Sequence, residues 1–422
     1  MPPLFSRGYE TCIEQMKKYD VVILAFTRWD QQSSSATLSF AKEWSKSHRV
    51  FYVDKPYSLK DLLSSSTDQG IRKRFQTIFF GRNRFTNVET GFSNFTVLTP
   101  GIVFPVNFLP VGFFYNIINK FNEYLLLRQI KRMLKKFDVQ DYVYINHFFP
   151  TMLPVIADSN CKPILNIYHS QHDIKLTKYL QRHGVFAEEK ILSQADLICA
   201  SSKNLYRQFS KLSKDVHYLP NAVDYEMFNS AFDSDEKPFD LESSGSTPII
   251  LFAGYLSRIR IDYSLLIELC EAYPHFLVVV VGTYDEKDVV EFKLDQIHNL
   301  LLMGNRRHEA IPRYIKSAKV TIIPYLCNML NKSLFPMKLN EYLALGKPVV
   351  TTDFSEDLHA YEEVITITKS INEFIDSVGV LVNEKDEALV QQRIKRASEN
   401  KWADRISHLE NVIEKKIQTL KK

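Results

Sequence analysis

Short apolar runs recur along the whole chain, separated by stretches with helical periodicity, and this alternation constrains the fold more than any other feature. The runs are residues 21–26, 49–54, 95–99, 142–145, 163–168 and 196–201 in the first half, and 248–254, 276–282, 300–304, 320–325 and 348–352 in the second. Continuous apolar runs are typical of strands buried on both faces, as in parallel sheets covered by helices. Strands alternating with helices form βαβ units. The pattern predicts an α/β protein with two Rossmann-like, doubly wound domains that face each other across a cleft.

A polar stretch rich in Ser, Asp and Pro, residues 229–247, separates the two halves and is typical of a linker. We therefore predict a first domain over 1–228 and a second domain over 248–383. From 384 onward the residues are charged and amphipathic, which predicts one long C-terminal helix over 384–422. A chain of 422 residues also exceeds one ordinary domain of ~100–200 residues.

The composition, with 45% hydrophobic and 24% charged residues, is typical of a soluble globular protein. No apolar run reaches the ~18 residues expected of a membrane span. The start of the sequence lacks the layout of a secretory signal. The five cysteines are scattered without a C-x-x-C pair, which favours a reducing compartment and argues against structural zinc. We expect a cytoplasmic protein, with attachment to the cytoplasmic face of a membrane as an added possibility.

A basic segment rich in phenylalanine lies at 71–136. It contains 11 Lys and Arg against 2 Asp and Glu, together with 11 Phe. One interpretation is a basic rim around an ordinary core. The other is an attachment surface, in which the cations contact anionic lipid head groups and Phe side chains enter the membrane interface. Nucleic acid is not expected as a partner, because no nucleic-acid-binding motif accompanies the charge.

The first strand of the second half leads into a loop suited to an anion. In FAGYLSRIRIDYSLL, Gly254 permits a tight turn, and Arg258 and Arg260 precede a helix that begins near Asp262. The unpaired N–H groups and the dipole of a helix N-terminus favour a diphosphate there. The alternative is a pair of solvated surface arginines, and the dinucleotide fingerprint G-x-G-x-x-G is missing.

Three further strand ends can meet that loop, because the carboxyl ends of parallel strands lie at one edge of a sheet. They are marked by Gly282, Gly304 and Tyr325, and the last leads into NKSLFPMKLNEYLALGKPVVTT. There Lys338 and Glu341 share a helix face at i, i+3. A carboxylate can accept hydrogen bonds from both hydroxyls of a ribose, and a lysine can bind phosphate. These loops predict a nucleoside-diphosphate pocket, with a surface ion pair worth ~0.2–0.5 kcal/mol as the alternative.

At these residues the chain resembles nucleotide-sugar glycosyltransferases of the GT-B fold, especially the family 4 (group 1) type. FPMKLNEYLALGKPVV resembles the donor-binding segment of that family, and VHYLPNAVDYEMF (216–228) resembles the end of its first domain. ILSQADLICASSKNL (191–205) resembles the strand and helix just before it. The resemblance covers most of 140–380 and is weak over 55–135. The pattern is nearest to a subgroup linked to cell-surface polysaccharide synthesis.

The resemblance implies a role for several residues. Glu341 would hold the nucleotide ribose, and Arg258 or Arg260 would hold the diphosphate. The backbone from Ser333 to Pro336 would lie near the donor sugar. The resemblance also implies that the configuration at the anomeric carbon is retained.

The chain departs from the family pattern at three places. Ser333 stands where many relatives carry a second Glu, and Tyr255 stands where an Arg is frequent. The segment TRWDQQSSSAT (27–37) replaces the usual glycine-rich loop of the first domain. These departures leave the identity of the donor open.

The acceptor side is expected in NIYHSQHD (166–173), where His169, His172 and Asp173 follow a strand. Such groups can position an acceptor hydroxyl or stabilise the departing charge. His147, in YINHFFP, follows another strand and is a further catalytic candidate. The structural alternative is that Asp173 caps the next helix while a histidine fills a gap in the core. A metal site is not expected, because Mg²⁺ prefers shells richer in carboxylates.

These patterns together favour a glycosyltransferase that moves a sugar from a nucleoside-diphosphate sugar to a saccharide or lipid-linked acceptor. The donor is then a co-substrate, and no cofactor or metal is expected. Two other functions remain open on the same fold. One is a sugar-nucleotide epimerase, which needs no acceptor, and the other is a non-catalytic scaffold subunit.

Overall fold

The protein is described by a computed structural model that covers residues 19–30, 35–64, 71, 74–81, 84–88, 94–152, 161–233 and 236–421. Its strands form two sheets, and each sheet is covered by helices. The prediction of an α/β protein with two Rossmann-like domains is confirmed.

The first sheet has eight strands in the order β3-β4-β2-β1-β5-β6-β7-β8, and only the β3–β4 pair is antiparallel. Strands such as β1 and β5 are buried along their whole length, which explains their uninterrupted apolar sequence. The strands are β1 Asp20–Ala25, β2 Val50–Val53, β3 Phe85–Asn87, β4 Phe95–Leu98, β5 Tyr142–His147, β6 Leu165–Ser170, β7 Leu197–Ala200 and β8 Val216–Tyr218.

The second sheet has six parallel strands in the order β11-β10-β9-β12-β13-β14. Its chain order reverses between β9 and β12, where ligands bind in sheets of this type. The strands are β9 Ile249–Ala253, β10 Leu277–Val281, β11 Leu300–Leu302, β12 Val320–Ile323, β13 Val349–Thr352 and β14 Thr366–Thr368.

Helices connect the strands and cover both sheets. Around the first sheet they are α1 Ala36–Trp44, α2 Leu59–Ser64, α3 Phe75–Phe80, α4 Phe113–Lys136, α5 Lys178–Gln194 and α6 Lys203–Phe209. The later helices are α7 Tyr225–Asn229, α8 Tyr263–Ala272, α9 Glu286–Glu291, α10 Ile311–Ser317, α11 Met329–Lys332, α12 Met337–Ala344, α13 Ile371–Leu381, α14 Glu387–Ser398 and α15 Trp402–Leu420. Short 3₁₀ helices lie at Ile174–Leu176, Phe239–Ser244, Leu294–Gln296, His308–Ala310 and Glu356–Tyr361.

The prediction of a single helix over 384–422 is wrong, because two helices occupy that segment. Between α14 and α15 the backbone forms hydrogen bonds with Val223, which accepts from the Trp402 amide at 3.3 Å and donates to the Asn400 carbonyl at 3.1 Å. These contacts take up backbone groups that a continuous helix would use. α14 packs against α12 in the second domain, whereas α15 returns to the first domain and packs against α1.

The segment between the two sheets is also packed rather than free. Within the stretch interpreted as a linker, Leu241 is buried in the core of the second domain. Asp240 accepts a hydrogen bond from Tyr314 at 2.7 Å and pairs with Arg306 at 2.8 Å. The residues after 238 therefore belong to the packing of the second domain.

Polar contacts join the two domains beside the cleft. Asp357 accepts hydrogen bonds from the Lys203 amide at 3.1 Å and from the Tyr218 hydroxyl at 2.7 Å. The Asn204 amide group donates to the Ser333 hydroxyl at 2.6 Å. These contacts fix one side of the cleft in a defined arrangement.

Candidate functional site

A cavity of about 560 Å³ lies between the two sheets, at the carboxyl ends of their strands. Phe26 and Thr27, which follow β1, line its first-domain side together with His172, which follows β6. The second-domain side includes residues 253–255 after β9 and 334–338 at the start of α12. The cavity therefore lies where the strand-end argument expects the cleft.

A smaller cavity of about 430 Å³ adjoins it within the second domain. It lies over the ends of β10 and β11, where Gly282 and Asn305 line it together with His308. Residues 253–255 and Glu341 line both cavities. Glu341 therefore stands at the junction of the two.

Glu341 is placed there by α12, which begins directly after Pro336. The residue is only 7% exposed, and its carboxylate accepts no hydrogen bond from the described part of the chain. Burial raises the pKa of Glu341 to about 7, and the positive charge of Lys338 opposes that rise. A buried carboxylate without a donor is costly, so this position is suited to a ligand with hydroxyl donors.

Lys338 does not pair with Glu341, so the alternative of a surface ion pair is wrong. Its ammonium donates to the Tyr325 hydroxyl at 2.7 Å and lies 4.3 Å from the centroid of the Phe252 ring. It also lies beneath Gly254, where an added Cβ would come within 2.6 Å of Nζ. The φ of +148° at Gly254 is a backbone conformation that favours glycine, and a Cβ there would also require the lysine side chain to shift. Two aromatic residues, Tyr325 and Phe252, and the backbone at Gly254 thus hold the lysine at the cavity wall.

The strand ends approach each other so closely that glycine is needed at a second position. A Cβ on Gly282, whose φ is +144°, would lie 2.1 Å from the Gly254 carbonyl oxygen. The Gly254 amide donates to Val281 at 2.8 Å, and the Gly282 amide donates to Gly304 at 3.0 Å. The ends of β9, β10 and β11 therefore form one open floor under both cavities.

The two candidate arginines of the β9 loop point in different directions. Arg260 lines the larger cavity, and its Nη1 is buried without a hydrogen-bond partner among the residues described. Arg258 instead turns toward α9, where its guanidinium binds Asp288 and also Glu291 at 2.5 Å. The structure therefore brings Arg260, and not Arg258, to the cleft.

The histidines expected to be catalytic lie beneath the cleft rather than in it. His147 and His169 are both buried within strands, with their ring centroids 4.5 Å apart. His147 Nδ1 lies 3.0 Å from the hydroxyl oxygen of Thr37, which does line the cavity. Burial lowers the pKa of His169 to about 4, and it lowers the pKa of His147 well below the usual value of a histidine, so both rings are neutral. Their prediction as residues that line the cleft is wrong.

Asp173 has the structural role that the sequence left open as an alternative. Its carboxylate accepts a hydrogen bond from the Lys175 amide at 3.0 Å and caps the short helix Ile174–Leu176. It also accepts a hydrogen bond from the Gln208 side chain at 3.2 Å. Asp173 is buried and does not line either cavity, so the prediction that it faces the cleft is wrong.

His172 is the member of this group that lines the larger cavity. Its ring packs edge-on against Phe148, with the centroids 5.1 Å apart. Burial, and then the positive charge of Arg260, lower the pKa of His172 to about 3. A neutral imidazole therefore faces the cavity beside a guanidinium, where it can exchange hydrogen bonds with a sugar hydroxyl.

The segment 333–336 is divided between the domain interface and the cavity. Ser333 is fully buried and accepts the hydrogen bond from Asn204, so it contacts the first domain instead of the cavity. Pro336 and Tyr325 line the cavity as expected. The Asn221 side chain also donates to the Phe335 carbonyl at 2.9 Å, which fixes the loop before α12.

Several lining residues were not identified from the sequence. In the smaller cavity they include Asn305, Arg306 and His308. All three follow Gly304, so the strand-end argument could have included them. From the first domain, Thr27 and Thr37 line the larger cavity within the segment that replaces a glycine-rich loop.

Within the described ranges, no group of three or more His, Cys, Asp or Glu side chains is arranged to hold a metal ion. No helix there has the length and apolar content to cross a membrane. The expectation that no metal is needed remains a prediction.

Comparison with known proteins gives one family match and one curated relative. Residues 247–400 match the family model described as "Glycosyl transferases group 1". Over 174 residues the chain is 30% identical to the putative teichuronic acid biosynthesis glycosyltransferase TuaH of Bacillus subtilis (strain 168). That alignment covers 40% of this chain and 43% of TuaH, so the chain spans less than half the length of this relative.

Solved structures resemble the chain over almost its whole length. Sucrose-phosphate synthase from Thermosynechococcus elongatus has a TM-score of 0.63 at 13% identity, over 94% of this chain and 99% of the other. HepE from Anabaena, in complex with UDP and glucose, has a TM-score of 0.59 at 14% identity, over 94% and 100%. At such identities the likeness shows the fold alone. The resemblance found in the sequence is thus confirmed: the chain has the GT-B fold, and its residues 247–400 match the group 1 glycosyltransferases.

Proposed function

We propose that the protein transfers a sugar from a nucleoside-diphosphate sugar to a saccharide or lipid-linked acceptor in the synthesis of a cell-surface polysaccharide. The observation that carries the proposal is the position of Glu341 at the junction of the two cavities, with a carboxylate that accepts no hydrogen bond from the described residues. The smaller cavity would take the nucleoside, with the ribose hydroxyls at Glu341. The diphosphate would then lie toward Lys338 and Arg260, and the sugar would enter the larger cavity.

The known proteins that the chain resembles support this proposal. HepE was solved with UDP and glucose, so a protein of the same fold holds a nucleotide and a sugar. TuaH is described as a putative glycosyltransferase of teichuronic acid biosynthesis, which supports a polysaccharide product. The nucleotide and the sugar used by this chain are not specified by either relative.

In the proposed reaction the protein mainly positions the reactants and stabilises charge. The cleft aligns the acceptor hydroxyl with the anomeric carbon of the donor. As the bond to the diphosphate breaks, Arg260 and Lys338 stabilise the negative charge on the leaving group. His172 faces the same cavity as a neutral ring and is placed to orient a sugar hydroxyl. Retention of the anomeric configuration is part of the proposal and rests on the family resemblance.

We also propose that the first domain attaches to an anionic membrane surface, on the cytoplasmic side. Phe113 and Phe114, at the start of α4, are 72% and 70% exposed, and Phe108 before them is 68% exposed. Lys120 and Arg128 are exposed on the same helix. Exposed aromatic side chains beside cations are typical of interfacial attachment. Free thiols at all four described cysteines agree with a reducing compartment.

The donor site is tested by comparing the two arginines of the β9 loop. We expect Arg260→Gln to weaken nucleoside-diphosphate binding by roughly tenfold or more, because a hydrogen bond to a charged group is worth ~1.5–3 kcal/mol. Arg258→Gln removes the same charge two residues away, outside the cavities, and should leave the affinity unchanged. The measurement is calorimetric titration of each variant with UDP, GDP, ADP, CMP and dTDP.

The outcome of this comparison is decisive for the donor site. Equal affinities in the two variants would contradict the assignment of the diphosphate to Arg260. Donor hydrolysis with and without added acceptor then separates the three functions that the sequence left open. A transferase needs the acceptor for rapid turnover, an epimerase does not, and a scaffold subunit shows neither reaction.

A further inference from the structure

A second group of cations lies beside the cleft, on the first domain. Arg28 directly follows Thr27, which lines the larger cavity, and Lys55 lies just after β2. The Lys55 ammonium is 4.1 Å from the centroid of the Phe26 ring, and Phe26 lines the same cavity. Burial, and then the positive charge of Arg28, lower the pKa of Lys55 to about 8, while Asp61 opposes this. The two cations therefore lie near each other at the edge of the acceptor side.

Arg28 is held in place by an aromatic ring, and no carboxylate of the described residues forms an ion pair with it. Its guanidinium carbon lies 3.7 Å from the centroid of the Tyr57 ring. Its Nε is buried and has no hydrogen-bond partner within the described segments. The carboxylates of Asp30 and Asp54 are engaged by another arginine, Arg74, at 2.6 Å and 3.2 Å. A stacked guanidinium thus keeps part of its donor edge unused.

Such a group is suited to bind an oxyanion. The planar donor edge of an arginine matches the oxygens of a carboxylate or phosphate, and stacking on an aromatic ring fixes its orientation. A buried donor without a partner is unfavourable, so a ligand that supplies an acceptor is stabilised there. Arg260, which also has a buried nitrogen without a partner among the described residues, lines the cavity on the donor side.

We propose that Arg28, together with Lys55, binds an anionic group of the acceptor substrate, either a sugar carboxylate or a phosphate. The proposal rests on the sugar transfer proposed above, because it assigns the first-domain side of the cleft to the acceptor. It adds the chemical class of the acceptor, which neither cavity reveals. A neutral saccharide would leave the unused edge of Arg28 without a partner.

The test is calorimetric titration of the full chain, saturated with UDP, with three sugars. Methyl glucuronide carries a carboxylate, glucose 6-phosphate carries a phosphate, and methyl glucoside is neutral. We expect at least one anionic sugar to bind about tenfold more tightly than methyl glucoside, which corresponds to about 1.4 kcal/mol. Tighter binding of the glucuronide identifies a carboxylate, and tighter binding of the phosphate sugar identifies a phosphate.

Variants then assign the preference to a residue. Arg28→Gln should abolish it, Arg28→Lys should keep part of it, and Lys55→Met should reduce it. Arg313→Gln, which removes the same charge from an exposed position on α10, should leave it intact. Equal binding of all three sugars to the unmodified chain overturns the proposal, as does a preference that survives in folded Arg28→Gln.

If the proposed sugar transfer is wrong, the titrations give a result that differs from a failure of the Arg28 proposal. UDP binding is measured first, and a chain that binds none of the tested nucleoside diphosphates contradicts the donor site. The three sugars are then titrated without UDP, and Arg260→Gln is included. A preference for anions that disappears in Arg260→Gln but persists in Arg28→Gln places the anion on the donor side and overturns the present proposal.

Discussion

At the scale of single residues, Glu341 combines a structural cost with the binding role proposed for it. A carboxyl group whose pKa is raised to about 7 in the folded chain, from 4.5, binds a proton more tightly when folded. The free energy of unfolding therefore falls as pH rises from about 4.5 to about 7, by up to ~3 kcal/mol, and stays low above that range. Such a loss of stability is tolerated in a protein whose function needs the charged carboxylate to bind a ligand.

Glu341→Gln should separate the two effects. Because the amide stays neutral, the variant should become more stable than the unmodified chain as pH rises from 4.5 to 7. Its nucleotide affinity should nevertheless fall by roughly ten- to a hundredfold, because the hydrogen bonds from the ribose are no longer charge-assisted and each is worth ~1.5–3 kcal/mol. Melting temperature across pH and calorimetry at pH 8 measure both quantities, with the exposed Glu268→Gln as control. An unchanged nucleotide affinity in the folded variant would remove the proposed role of Glu341.

Residue-level patterns in the sequence located the pocket but not the direction of each side chain. The strand-end argument placed Gly254, Gly282 and Glu341 correctly around the cavities. It could not distinguish Arg258 from Arg260, because the partner of Arg258, Asp288, comes from a helix 30 residues away. It also ended β6 too early: His169 is still part of the strand and points into the core, whereas the chain turns into the cleft at His172.

At the scale of elements, the sequence predicted central strands well and edge strands poorly. All eleven apolar runs form strands within two residues of the expected bounds. The three missed strands, β3, β8 and β14, each lie at the edge of a sheet and are only three residues long. An edge strand is partly exposed and needs no continuous apolar run, so its sequence carries little signal.

The C-terminal helix α15 is another element whose role depends on tertiary contacts. Leu409 and Ile413 are buried in the core of the first domain, and the indole of Trp44 donates to Glu410 at 3.1 Å. We expect Leu409→Ala to lower the free energy of unfolding by ~2–5 kcal/mol, as other buried leucines do. Leu420→Ala, on the same helix but at a position 58% exposed, should change it little. Equal, small changes in chemical denaturation of both variants would show that α15 does not contribute to the core.

At the scale of the whole molecule, the first domain has an asymmetric surface. Six of its exposed aromatic residues lie between Phe104 and Tyr124, close in sequence to the basic residues of α4. The chain between β4 and β5 therefore has both properties that favour binding at a membrane interface, which are exposed apolar area and positive charge. The smaller cavity lies within the second domain, so a membrane contact through this surface would leave the proposed nucleoside position open to the surrounding solution.

The two terms of membrane binding respond differently to salt and to mutation. Binding to vesicles that contain anionic phospholipid should weaken as salt screens the charges, whose range is ~8 Å at physiological ionic strength. The remaining, salt-resistant binding should fall at least roughly tenfold in the double variant Phe113→Ser, Phe114→Ser, because moving each such side chain out of water is worth ~1.5–3 kcal/mol. Phe239→Ser, at a residue 88% exposed on the second domain, serves as the control. Vesicle sedimentation measures all of these. Equal binding to neutral and anionic vesicles would remove the electrostatic term, and unchanged salt-resistant binding in the double variant would show that α4 does not enter the interface.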